Sequence, residues 1–235
     1  QLTSLYVPGL SVPVDFIRWL PSSQLNDMPT LFRSVSPDMA PLFADVLPAM
    51  STLRSLHFHR TYNANTEQMD EVDWMASILP QCTELTQLEM CVSPDATPLF
   101  VAALAPLHHL MDLQWLSETP IPLPSAFYNL QLPHLTRLKV QLVASEADLP
   151  AFLARHPTLT DLYTFITGTQ PVELTDLVSH CPALTSIHLV DVVERPDLLL
   201  PTLPPTLRRL SWQSGTTSLL PSLLPEDHLL THLHD

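Results

Sequence analysis

Few residues of this 235-residue chain have types and spacing suited to chemistry. His57 and His59 alternate along one segment, and Glu89 and Cys91 hold the matching positions in the next copy of a repeated pattern. Imidazole, carboxylate and thiolate are zinc ligand types. On neighbouring strands the two pairs would lie about 4.8 Å apart. Nothing else in the pattern requires a metal, and none is assigned. Ser186, His188 and Asp161 would supply a nucleophile, a base and an orienting acid. Acyl transfer also needs a sharp turn at the nucleophile and backbone donors for an oxyanion. A flat strand offers neither, so the chain is not expected to be an enzyme. Gly9, Gly168 and Gly215 stand alone, so no glycine loop cradles a phosphate and no cofactor is expected. Cys82, Cys91 and Cys181 give neither a disulfide framework nor a CxxC metal motif.

Charge narrows the partners. Twenty-four acidic against ten basic residues give a formal charge of −14, and Lys139 is the single lysine. Nucleic-acid affinity rests on Lys and Arg neutralising phosphates, so a nucleic-acid partner is not expected. Anionic lipid is disfavoured for the same reason. No apolar run approaches the roughly 20 residues of a membrane span, because prolines such as Pro201 and Pro221 cut the leucine runs. No signal peptide and no glycosylation sequon are visible. A reducing compartment, cytoplasm or nucleus, fits. Gln1 opens inside a patterned segment, which leads us to expect a chain truncated at its N-terminus.

The elements that must position these residues are repeats. Leucine is about one residue in five, and one pattern returns along the chain: apolar, two polar, apolar, polar, apolar. It reads Leu2-Thr-Ser-Leu5-Tyr-Val7, Leu53-Arg-Ser-Leu56-His-Phe58, Leu85-Thr-Gln-Leu88-Glu-Met90 and Leu110-Met-Asp-Leu113-Gln-Trp115. It continues as Leu135-Thr-Arg-Leu138-Lys-Val140, Leu159-Thr-Asp-Leu162-Tyr (ending near Phe165), Leu184-Thr-Ser-Ile187-His-Leu189 and Leu207-Arg-Arg-Leu210-Ser-Trp212. Weaker copies start at Leu25 and Leu230. First positions are 23, 28, 32, 25, 25, 24, 25, 23 and 23 residues apart. The last four positions of each copy alternate, which predicts a short strand with one apolar face. Such a strand cannot bury that face alone, but ten side by side make a parallel sheet over a continuous core.

Between the motifs, helical spacing appears at Met69–Leu79, Leu99–Leu107, Leu149–Leu153 and Val172–Val178. Thr66, Ser145 and Pro171 mark helix starts. Pro80, Pro106, Pro133, Pro157, Pro182, Pro205 and Pro225 close the connections ahead of the next strand. The unit is helix, proline turn, strand. This arrangement resembles the leucine-rich repeat family over the whole chain. Residues 1–235 are therefore expected to form a single α/β solenoid of about ten repeats, a horseshoe with a parallel sheet on the concave face. Helices and Pro-rich loops are expected on the convex face. The unit length resembles the ribonuclease-inhibitor-like and F-box-associated types. Cys181-Pro-Ala-Leu184 resembles the approach to an F-box-associated repeat. Cys82 and Cys181 are then buried structural residues, His108, His109 and His180 sit in turns, and Trp19, Trp74, Trp115 and Trp212 belong to the core. The family's ninth-position Asn or Cys is replaced here by Leu10, Thr61, Ser93, Glu118, Val143, Thr167, Val192 and Gly215. Irregular curvature is expected at the 32-residue unit and at the loop Pro120–Pro124.

The resemblance places positions three and five of each motif on the concave face, with position seven (His59, Cys91, Leu116, Gln141, Phe165, Val190, Gln213) often joining them. Candidate partner-binding residues are Tyr6, His57, His59, Glu89, Gln114, Arg137, Lys139, Asp161, Tyr163, Phe165, His188 and Arg209. Tyr163, Phe165, Lys139 and Arg137 are the expected anchors, since aromatic residues and Arg dominate binding hot spots. The family implies a protein-interaction scaffold with a protein or peptide on the concave face. Foremost would be the substrate-recognition repeats of an F-box-type ubiquitin ligase subunit. Its F-box, which would contact a cullin–RING ligase adaptor, would precede Gln1. Two alternatives remain: the sensor repeats of a nucleotide-binding receptor, or a free-standing inhibitor of a basic protein.

Overall fold

The computed structural model describes residues 27–28, 40–59, 75–91, 97–116, 123–144, 148–166, 180–191 and 206–214. Eight strands follow one another: β1 Asp27–Met28, β2 Ser55–His59, β3 Gln87–Cys91, β4 Asp112–Leu116, β5 Arg137–Ala144, β6 Asp161–Ile166, β7 Ser186–Asp191 and β8 Arg209–Ser214. They pair in chain order, all parallel, into one sheet. Each begins at the third position of its motif. The register joins like to like: Ser55, Gln87, Asp112, Arg137, Asp161, Ser186 and Arg209 form one row. The motifs from Leu25 to Leu207 thus form a leucine-rich-repeat solenoid. Those at Leu2 and Leu230 lie outside the described residues.

The core follows the pattern. First positions Leu53, Leu85, Leu110, Leu135, Leu159 and Leu184 are buried, as are the fourth positions from Leu56 to Leu210. At the sixth position Met90, Trp115 and Val140 are buried, and on β6 the residue is Thr164, also buried. Each buried leucine contributes about 1.5–3 kcal/mol, so the stack is held by many similar increments.

Connections carry the other wall. Helix α1 (Ala40–Val46), α2 (Thr97–Leu104) and α3 (Leu149–Arg155) send Phe43, Phe100 and Phe152 into the same core. The second and third of these were expected. The first was not, because Pro41 and a short run obscure its period; a proline in a first turn is tolerated. A helix also ends at 75–78, leading into a 3-10 turn at Leu79–Gln81. After Pro124 the chain makes a 3-10 turn at Phe127–Asn129, and Phe127 stacks on Phe152 with centroids 5.1 Å apart. The helical spacing at Val172–Val178, Trp19, Trp74 and the Trp212 side chain lie outside what is described.

Two hydrogen-bond systems explain residue choices that hydropathy does not. The position-two carbonyl of each repeat accepts two backbone N–H groups from the next, as Arg54 does from Thr86 (2.8 Å) and Gln87 (2.9 Å). Where the next repeat has threonine, its hydroxyl donates to the same carbonyl: Thr86, Thr136, Thr160 and Thr185 at 3.0–3.2 Å. The second system lies in the turn three residues before each motif. There Met50, Cys82, Leu107, Leu132, His156 and Cys181 are all buried. The carbonyl of each accepts the N–H of the motif's first leucine at 3.0–3.1 Å. The buried cysteines expected at 82 and 181 belong to this set.

The ladder keeps step across both the 32-residue unit and the Pro-rich loop. Its irregularity is on β5, where Val140 pairs with Thr164 but Val143 pairs with Phe165. Two residues, Gln141 and Leu142, are extra. Gln141 therefore does not share a row with Phe165, as position seven required. At the ninth-position Val143, the strand runs on to Ala144 and remains in the ladder. The other ninth positions lie outside the described residues.

Candidate functional site

Strand alternation turns positions three and five away from the core, on the face opposite the helices. Gln87, Arg137 and Arg209 are exposed there, while His57, Glu89, Gln114, Lys139, Asp161, Tyr163 and His188 are half-buried. The ladder sets His57, Glu89, Gln114, Lys139, Tyr163, His188 and Ser211 in a second row. Eleven of the twelve candidates are thus gathered by one sheet. For His59 and Phe165 only the backbone position is described, on β2 and β6; Phe165 lies between Val143 and Val190 in the ladder. Tyr6 lies outside the described residues.

Three contact sets subdivide the face. At its β2–β3 end the Ser55 hydroxyl meets His57 Nε2 at 2.9 Å, and His57 Nδ1 meets Glu89 Oε2 at 2.9 Å. With the imidazole proton on Nδ1, facing the carboxylate, the serine hydroxyl donates to Nε2. This is the order of a nucleophile, base and acid relay. Ser55 is only 6% exposed, however, and lies within a strand paired on both sides rather than at a sharp turn. The two hydrogen bonds fix the imidazole on the sheet face. Sequence reasoning missed this arrangement and considered Ser186, His188 and Asp161 instead. The legible signal was Ser-x-His in one repeat with Glu at the histidine's position in the next. His57 and Glu89 are thus bonded to each other, and among the described residues no group of three metal-ligand side chains is suited to a metal ion.

In the middle, Asp112 and Arg137 pair at 2.7 Å. Asp112 is 7% exposed, and burial raises its carboxyl above the usual range against the pull of Arg137 and a Gln114 hydrogen bond. Beyond it, the Lys139 ammonium lies 5.4 Å from the Tyr163 ring centroid. Tyr163 stacks on His188 with centroids 4.3 Å apart and planes 5° from parallel. Burial, then the nearby Lys139 charge, holds the His188 imidazole below its ordinary pKa. The Asp161 carboxylate lies 2.8 Å from the Thr160 hydroxyl, where it competes with the Thr136 carbonyl for the one proton. Lys139, Tyr163 and His188 come from three different repeats, and only the common register makes them neighbours.

No known family profile matches the chain, and no curated protein matches it. Among solved structures it is similar to a chain of the "Crystal structure of TLR13-ssRNA13 complex", with TM-score 0.42 and 13% identity over 95% of this chain. This chain spans 37% of that one.

A shallow groove of about 420 Å³ runs along the edge where the chain enters the strands, past Glu84, His109, Met111 and His134. His109 and His134 lie parallel there, 6.1 Å apart; both sit in turns, as was expected for His109. The threonines beside them donate to carbonyls of neighbouring repeats. No helix among the described residues is long and apolar enough to cross a membrane.

Proposed function

We propose that this chain is a protein-interaction scaffold that takes a protein or peptide partner on the open, concave face of its sheet. The Lys139–Tyr163–His188 stack carries this proposal. It is a half-buried aromatic surface with a cation on it, held rigid by the ladder beneath. Rigid aromatic and cationic side chains are the types that anchor interfaces, because little entropy is lost when they bind. Variation supports it too: buried positions repeat leucine, while the outward rows differ at almost every strand. The decisive experiment is affinity capture of partners by the full chain and by a Tyr163→Ala, Lys139→Ala double variant. Recovery is expected to fall at least about tenfold, two lost anchors at roughly 1 kcal/mol or more each. Unchanged recovery would refute the assignment.

The finer role within this reading is substrate recognition in an F-box-type ubiquitin ligase subunit. The Cys181-Pro-Ala-Leu184 approach to β7, with its buried thiol, supports it. Co-purification of the full-length protein with a cullin–RING adaptor tests it, and recovery without adaptor counts against it.

A further inference from the structure

Acid and base segregate along the open face. Over β2–β4 the outward rows carry Glu89 and Asp112 and no permanent cation. Over β5–β8 they carry Arg137, Lys139 and Arg209 against the single carboxylate of Asp161. This cationic half belongs to a chain of net charge −14, and it contains the only lysine. The charges are also differently engaged. Arg137 is paired with Asp112 across the boundary. Lys139 rests on the Tyr163 ring, with no carboxylate pairing among the described ion pairs, and Arg209 is exposed. A cation held over an aromatic ring rather than against a carboxylate keeps its charge available to an incoming anion.

We infer that the β5–β8 half of the face binds an acidic peptide segment of the partner. One carboxylate reaches Lys139, a second reaches Arg209, and an apolar or aromatic side chain between them lies against His188. The inference rests on the reading of this face as the partner surface and adds the chemistry of what it takes. Geometry sets the spacing of the acids. Lys139 and Arg209 are three strand intervals and two residues apart, roughly 16 Å from the dimensions of a sheet. An extended chain covers that in about five residues. A basic segment would instead meet three cations there. Like-charge contact of that kind is what excludes wrong partners.

The test is fluorescence anisotropy of the full chain with three labelled peptides. Each has a central Phe flanked by two variable residues about five positions apart: Glu in one, Gln in the second, Lys in the third. The Glu peptide is expected to bind at least about tenfold tighter than the Lys peptide, and the preference should shrink in about 0.5 M salt, where screening is short-ranged. Lys139→Gln and Arg209→Gln should each weaken the Glu peptide about three- to tenfold, and Lys139→Arg should restore it. Equal or tighter binding of the Lys peptide overturns the inference, as does Glu-peptide binding indifferent to Lys139→Gln. If the Lys peptide wins but loses affinity in Tyr163→Ala, the acidic chemistry is wrong and the face stands as the partner surface. If no peptide binds, the acidic inference falls, while the capture experiment still judges the face.

Discussion

Protonation of His156 should cost this fold stability. The residue is fully buried in the turn before β6, where other repeats place leucine, methionine or cysteine. Its Nδ1–H donates to the Phe152 carbonyl at 2.8 Å, and its Nε2 accepts the Leu132 backbone N–H at 3.2 Å. Both ring nitrogens are therefore committed in the neutral form. A second proton would face the Leu132 N–H and place a charge in the core. Burial accordingly holds the imidazole below its ordinary pKa, with the Phe152 hydrogen bond opposing and Arg155 assisting. The sign follows. A histidine with a lowered folded pKa leaves the unfolded chain binding the extra proton, so stability is lost as pH falls below about 6.5. Each unit that separates the folded from the unfolded pKa is worth about 1.4 kcal/mol, and the loss is complete once pH falls below the folded value. His156→Leu removes the titration but strips the Leu132 N–H of its acceptor, at about 1–3 kcal/mol. Urea unfolding from pH 5 to 8 should show the variant less stable at pH 7.5, with a flatter pH profile that approaches or meets the wild type near pH 5. Parallel profiles for the two proteins would refute the reasoning.

Three further outcomes can be measured. Asp112→Asn should cost less than about 1 kcal/mol at pH 7 in urea unfolding, despite a 2.7 Å ion pair, because burial disfavours the Asp112 charge and Arg137 is 53% exposed and resolvates; a loss of several kcal/mol would contradict this. Lys139→Gln should raise the His188 pKa toward 6.5 in an NMR titration by removing a nearby positive charge, and no change would mean that the stack is not formed in solution. Burial pushes the Cys82 and Cys181 thiols up to about 11, so Ellman's reagent at pH 8 should modify the half-buried Cys91 first in the native protein; equal rates at all three would show that the turn cysteines are not sealed.

The repeat spacing made the strands legible, because a short alternating segment that cannot bury its apolar side alone has few stable outcomes other than a stacked parallel sheet. It also placed Leu56, Leu88, Leu113 and Leu138 inside and Lys139, Tyr163 and His188 outside, since side-chain direction in a strand has period two. Contacts between repeats were not legible in the same way. The spacing set His57 opposite Glu89, but nothing in it says that Lys139 lies over Tyr163, or that a histidine can fill a leucine's turn by bonding Phe152 and Leu132. The shift on β5 was equally hidden, because two extra residues within an apolar run leave the hydropathy pattern intact while moving Gln141 out of its row. The sequence by itself determined which side chains leave the core and in what order. Only the tertiary structure decided which of them touch, because rotamer choice and register are set by neighbours some 25 residues away in the chain.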